Sequence, residues 1–186
     1  MQVKEIMTSD VSFCGTKANL SDVANVMWNK DCGSVPVVDQ DKKVVGVITD
    51  RDICMALVFK NKLANEIFAK EMIGGLVRVC SPEDDIEMAL ATMEHAQLRR
   101  LPVVDKDGTL CGIISINDAI RHTDKGEKKS RRVSRKKVLQ TLRAISQKNY
   151  APEKEVEIVE DTSGEVEEAA TDIVEEVATE TEPSES

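Results

Sequence analysis

The sequence predicts an α/β (α+β) fold in which two β-α-β-β-α repeats pack about a pseudo-two-fold axis, followed by a basic helical segment and a disordered acidic tail. Three observations predict it. The first 120 residues contain an internal repeat, each copy carries one apolar stripe at helical spacing ahead of two β-branched runs, and charge segregates sharply after residue 120.

Sliding the chain against itself by 66 residues aligns positions 4–53 with 70–119 without a gap. Thirteen of those fifty positions are identical, including Cys14/Cys80, Met27/Met93, the Pro-Val-Val-Asp blocks at 36–39 and 102–105, Gly46/Gly112, Ile48/Ile114 and Asp52/Asp118. Each copy opens on a short extended stretch, residues 11–14 or 77–80. A helix follows, because Leu20, Val23, Ala24 and Met27, and likewise Ile86, Ala89, Leu90 and Met93, recur at i, i+3, i+4 and i+7. Next, Val35-Pro-Val-Val-Asp39 and Leu101-Pro-Val-Val-Asp105 read as strands that begin at a proline. Short polar turns, 40–43 and 106–109, lead into second β-runs at 44–48 and 110–114, which makes a hairpin in each copy. After Thr49 or Ser115 the pattern turns helical again, with Ile53, Met55, Ala56 and Leu57 in the first copy.

A unit of this size buries little surface alone. Two copies joined through residues 61–68 are therefore expected to pack sheet on sheet and to form two equivalent clefts. The expected divisions are residues 1–60, 61–122, 123–150 and 151–186.

Composition narrows the function classes. Hydrophobic residues make up 41% of the 186, but aromatics only 3% with one Trp, so the core must be built from Val, Ile, Leu, Met and Ala. The five cysteines are odd in number and lack CxxC spacing, which reads as reduced, buried thiols. His95 and His122 fall in no nucleophile or metal-ligand spacing, so no enzyme, no metal and no catalytic cofactor is expected. The N-terminus has no signal-peptide pattern and no apolar run approaches the ~18 residues that span a bilayer, so a cytoplasmic, membrane-free protein is expected.

Motif order carries a resemblance. The Met7-Thr8 opening, Leu20-x-x-Val-Ala-x-x-Met27, the hydrophobic-Pro-Val-Val-Asp block and the Gly-hydrophobic-Ile-Thr/Ser-x-x-Asp run resemble the CBS domain family over residues 1–122, two copies making a Bateman module. That resemblance implies a regulatory module that binds an adenosine-containing ligand (AMP, ADP, ATP or S-adenosylmethionine) in clefts between repeats and often forms a flat homodimer. It assigns Asp52 and Asp118 to ribose, with Thr49 and Ser115 near ribose and phosphate.

The residues themselves support such chemistry without requiring it. A helix N-terminus favours phosphate, and a carboxylate one turn in can accept from both ribose hydroxyls. Thr-x-x-Asp and Ser-x-x-Asp are equally the signals of a helix start. Arg99 and Arg100 stand where the first copy has Gly33 and Ser34, and guanidinium groups suit phosphate oxygens. The candidate site residues are Ser12, Ser34, Val35, Pro36, Thr49, Arg51 and Asp52 in copy one. In copy two they are Arg78, Arg99, Arg100, Leu101, Pro102, Ser115, Asn117 and Asp118, the preferred phosphate site. Nucleotide-binding members of the family often carry a Thr in the first strand, where Phe13 and Val79 stand here.

The net charge of −9 conceals three pieces. Residues 1–120 carry 13 Lys/Arg against 18 Asp/Glu, residues 121–150 carry 11 against 2, and residues 151–186 carry 1 against 14. In the basic piece Ser134 is a candidate N-cap, and Val138, Leu139, Leu142 and Ile145 fall at helical spacing. Such a helix can dock on the repeats or on a second subunit, or meet phosphates of nucleic acid through residues 125–148. The Glu-rich final piece has no aromatics, which predicts disorder. The expected function is a regulatory adaptor that senses an adenine nucleotide for an unknown effector protein. The alternatives are a ligand-free dimeric scaffold and a nucleic-acid-associated protein.

Overall fold

The computed structural model describes residues 1–123 and 133–147. The predicted acidic tail and much of the basic run lie outside the described residues. Every predicted helix and hairpin strand has a counterpart, while the extended stretch expected at 77–80 forms no strand: β1 (Cys14–Gly15), α1 (Leu20–Asn29), β2 (Ser34–Val38), β3 (Val44–Thr49) and α2 (Asp50–Lys60), then α3 (Ile86–Ala96), β4 (Arg100–Val104), β5 (Leu110–Ser115) and α4 (Ile116–Arg121), and finally α5 (Arg135–Ser146). The order is mixed α/β in both copies.

The helices begin where a side chain supplies a missing acceptor. Asn19 accepts from the Asp22 N–H at the head of α1, and Asp85 from Glu87 N–H at the head of α3. Leu20, Val23 and Met27 are buried on α1, and Ile86, Ala89, Leu90 and Met93 on α3, as the spacing predicts. In both copies the hairpin strands pair antiparallel and slip register at the same place, between Val37 and Val38 and between Val103 and Val104. β1 pairs parallel with β2, whereas the second copy keeps only one parallel bridge, Cys80 to Val103. There the Ser81 N–H turns away from the ladder and donates to Asp84 Oδ2 at 2.8 Å.

Two features were not legible as helical or strand periodicity. First, each copy's lead-in segment enters the other copy's core. Val3 and Ile6 pack with Ile86, Leu90, Leu101 and Ile114, while Ile67 and Ala69 pack with Leu20, Val23, Val35 and Ile48. Thr8 and Ile113 exchange backbone hydrogen bonds of 2.9 Å each way. A Cβ on Gly112 would lie 2.9 Å from both Met7 Sδ and the Thr8 carbonyl oxygen, and one on Gly46 would collide with the Ile73 side chain. The repeated glycine therefore marks where the partner copy's lead-in crosses a strand.

Second, the axis itself is visible in hydrogen bonds. Val44 N–H donates to Gly108 O and Leu110 N–H to Lys42 O, both at 3.2 Å. Donors and acceptors alike are related by the 66-residue offset, so the two hairpin turns meet on the pseudo-two-fold.

α5 packs on α3 and touches α4. Ser134 caps it, Val138 and Thr141 are buried, and Leu142 and Ile145 pack against the second core. Leu139, a third of a turn round the helix, is instead 51% exposed. Glu94 of α3 accepts from Lys137 Nζ at 2.7 Å and from Gln140 Nε2 at 2.9 Å. The Lys137 ammonium first, then Gln140, holds the Glu94 carboxyl below the ordinary carboxylate range. The stability it contributes is present above the ordinary glutamate pKa, about 4.3, and is lost as pH falls through the lowered folded value. Melting temperatures measured through this acid range should fall less steeply for Glu94→Gln than for the wild type.

Candidate functional site

The hairpins place the candidate residues by register. Ser34 sits opposite Thr49, and Arg100 opposite Ser115, so the start of each first hairpin strand lies beside the end of the second. The helix that follows brings its aspartate back over this junction. Thr49 donates to Asp52 Oδ2 through its hydroxyl at 2.7 Å and its N–H at 2.8 Å, and its Oγ1 accepts from Asp52 N–H at 3.2 Å. Ser115 and Asp118 repeat the pattern at 2.6, 2.9 and 3.3 Å. Both pairs are capping boxes.

Capping does not exhaust these carboxylates. It uses Oδ2 of each, and Asp52 Oδ1 accepts no hydrogen bond among the described residues. Asp118 Oδ1 has only Arg121 Nη1 at 3.8 Å, from a side chain that stands in solvent. One acceptor oxygen per repeat is thus left at a helix N-terminus.

Ser34 is the most informative residue at the first junction. It is 6% exposed, and its Oγ has no hydrogen-bond partner among the described residues. A buried hydroxyl left unpaired costs ~1–3 kcal/mol. Close by, a Cβ on Gly33 would lie 3.1 Å from Asp50 Oδ2 and 3.7 Å from Arg100 Nη1. A guanidinium from the second repeat therefore reaches the first repeat's junction, where Ser34, Thr49 and Asp52 converge.

The remaining candidates are dispersed. Arg51 and Asn117 are exposed on the first turns of α2 and α4, and Arg99 is exposed ahead of β4. Val35 and Leu101 have their side chains wholly in the two cores, leaving only backbone to offer. Pro36 and Pro102 are buried, and the Pro102 carbonyl accepts from Cys80 N–H at 3.1 Å. Ser12 is half-buried in the coil before β1. Arg78 lines a separate cavity of about 410 Å³ beside α3, with Cys80, Met88, Thr92 and His95. Asp50, which with Arg100 flanks Gly33, was missed by sequence reasoning. Its signal was an Asp in the first copy where the second has Ile116.

Burial raises the Cys14 thiol to about 11 and the Cys80 thiol, also beside Asp84, to about 12. Both stay protonated at neutral pH and act as small apolar groups. No three potential metal ligands come together among the described residues, and no described helix is long and apolar enough to cross a membrane.

Comparison with known proteins bears on the fold. The chain is 33% identical over 118 residues to inosine-5'-monophosphate dehydrogenase of Methanocaldococcus jannaschii, covering 63% of this chain but 22% of that enzyme. It spans less than a quarter of the length of the first such curated relatives. Among solved structures, Hypoxic Response Protein I with two coordinated zinc ions superposes with a TM-score of 0.62 at 28% identity, over 67% of this chain and all of that one. The CBS domain pair of protein MJ0100, in complex with 5'-methylthioadenosine and S-adenosyl-L-methionine, superposes at 0.58 with 25% identity, over 65% of this chain and 98% of that one. Residues 3–59 and 66–125 each match the CBS domain, and the chain belongs to the CBS domain family as a tandem pair.

Proposed function

We propose that this CBS pair is a non-catalytic cytoplasmic sensor of an adenosine-containing ligand, with a second copy of the chain and an effector protein as its macromolecular partners. The observation that carries the reading is the Ser34 hydroxyl, buried and unpaired at a junction that also holds Thr49, Asp52 and the Arg100 guanidinium. A polar ligand there completes the missing hydrogen bond. Asp52 and Asp118 offer Oδ1 to ribose hydroxyls, and Arg100 with the helix N-termini suits a phosphate or carboxylate. The adenosyl ligands held by the CBS pair of MJ0100 support that class.

A route from ligand to effector runs through α4, which is only six residues long. The Asp118 carbonyl lies 2.8 Å from His122 Nδ1, the His122 carbonyl accepts from Val133 N–H at 3.1 Å, and the Thr123 carbonyl accepts from Arg135 Nε at 3.0 Å. A change at the Ser115–Asp118 cap thus bears on the footing of α5, whose outward face is basic.

Calorimetry with AMP, ADP, ATP and S-adenosylmethionine tests the reading. At least one ligand is expected to bind, and Asp52→Ala or Asp118→Ala to weaken it at least tenfold, about 1.4 kcal/mol. Each aspartate variant also loses a cap worth ~0.5–2 kcal/mol, so Ser34→Ala is the sharper probe. It should leave the free protein as stable as before or more so, yet weaken the ligand. Absence of heat and of thermal stabilisation with all four ligands would leave the ligand-free scaffold as the better account.

A further inference from the structure

The internal symmetry lets the two junctions be compared on one backbone frame. Asp50 N–H donates to the Gly33 carbonyl at 3.3 Å and Ile116 N–H to the Arg99 carbonyl at 2.9 Å, donors and acceptors again related by the 66-residue offset. The side chains on that frame differ in character. Ile116 is buried in the second core, whereas Asp50 is exposed and turned toward Gly33.

Asp50 and Arg100 border the same open space. The place of a Cβ on Gly33 lies 3.1 Å from Asp50 Oδ2 and 3.7 Å from Arg100 Nη1, and these are the nearest groups to it apart from the chain neighbours of Gly33. Yet the two do not meet, since no salt bridge joins Asp50 to Arg100 among the described residues. Asp50 Oδ1 accepts from Arg51 N–H at 2.8 Å, which leaves Oδ2 for the space. The Ser34 hydroxyl, next in sequence to Gly33, is buried and unpaired, and it marks the same place independently as one built for a polar ligand.

A carboxylate and a guanidinium held a short way apart form the two halves of a receptor for a zwitterion. An amino-acid head group presents an ammonium and a carboxylate on one carbon, so it asks for an acceptor and a donor that flank it. The guanidinium donates to the carboxylate, and Asp50 accepts from the ammonium. A 5'-phosphate, at about −1.5 to −2 at pH 7, meets the same guanidinium with Asp50 beside it as a like charge. Such a repulsive group separates ligands as effectively as an attractive contact. Asp52 stays available for ribose, because it lies two residues further along α2, and positions i and i+2 of a helix do not face one another.

We propose that the first junction selects an adenosyl amino acid over a nucleotide, with Asp50 taking the α-ammonium and Arg100 the α-carboxylate of the head group. The second junction lacks this receptor, since Ile116 stands where the carboxylate would be. The inference rests on the adenosyl reading above and adds to it the residues that choose among its ligands.

Calorimetry on the full chain compares S-adenosylhomocysteine with 5'-methylthioadenosine, which has the same adenosine and sulfur but no head group. The first is expected to bind at least tenfold tighter, about 1.4 kcal/mol. Asp50→Asn and Arg100→Gln should each remove most of that advantage, and Arg100→Lys, which keeps the cation, should retain part of it. AMP separates a charge effect from structural damage: Asp50→Asn should strengthen its binding and Arg100→Gln weaken it, whereas a damaged junction loses AMP in both. Equal affinity of the two thioethers for the wild type, or a head-group advantage untouched by Asp50→Asn, overturns the inference and leaves the adenosyl reading standing. Absence of binding by every ligand overturns both.

Discussion

Gly112→Ala is expected to destabilise the protein by ~1–3 kcal/mol, although it adds a single methyl group. The added carbon would lie 2.9 Å from the Thr8 carbonyl oxygen and 2.9 Å from Met7 Sδ, so the lead-in segment must leave β5 or the strand must bend. Shortening Met7 removes only one of those two contacts, and Met7→Ala should not restore Gly112→Ala. At Gly46 the obstruction is the Ile73 side chain alone, because the Ile73 Cα is 3.8 Å away. There Ile73→Gly, which removes both the Cγ2 and the Cβ that the added carbon would meet, the Cβ at 2.8 Å, should recover part of the loss caused by Gly46→Ala. Denaturant unfolding of the two double-mutant cycles reads the difference as a coupling that is large at 46/73 and small at 112/7. Equal rescue at both sites would mean that the lead-in segments do not cross the strands as described.

Val138→Asp is expected to release α5 while leaving the hairpins folded. Val138 is 5% exposed in the second core, and an unpaired carboxylate held there costs several kcal/mol. Undocking one terminal helix avoids that cost; unfolding the β2–β3 and β4–β5 hairpins does not follow from it. Hydrogen exchange should show lost protection in α5 and retained protection at Val35 and Val103, with a lower melting temperature. Val138→Ala, which shrinks the side chain without adding charge, should keep α5 protected. Loss of protection throughout the second repeat would instead make α5 an integral part of that core.

Much of this architecture was readable in the residues. The strands were legible because β-branched runs, a starting proline and a polar turn coincide twice, and α1 and α3 because their apolar spacing has one period. The α5 docking face was legible for Val138, Leu142 and Ile145. The exchange of lead-in segments was not: Val3, Ile6, Ile67 and Ala69 sit in short irregular stretches that have no period to detect. Only Gly46/Gly112 hinted at a close approach. At the candidate site, Thr49–Asp52 and Ser115–Asp118 were found because capping and ribose binding ask for the same residues at the same spacing. Asp50 and the reach of Arg100 toward Gly33 were hidden, since they depend on a long side chain that crosses between repeats. Val35 and Leu101, named for their place in the motif, serve the core with their side chains.

The crossing of the lead-in segments sets an order of events during synthesis. As the chain leaves the ribosome, its first eight residues emerge without the surface they need, because Ile86, Leu101 and Ile114 are made much later. The first sheet can be completed once Ile67 and Ala69 appear, but the N-terminus must wait for nearly the whole second repeat. Such distant pairing slows folding, and a nascent chain stalled between the repeats would display Val3 and Ile6 to chaperones. Cutting the gene at the linker would yield two fragments, each lacking a piece of its own interior and carrying a piece of the other's.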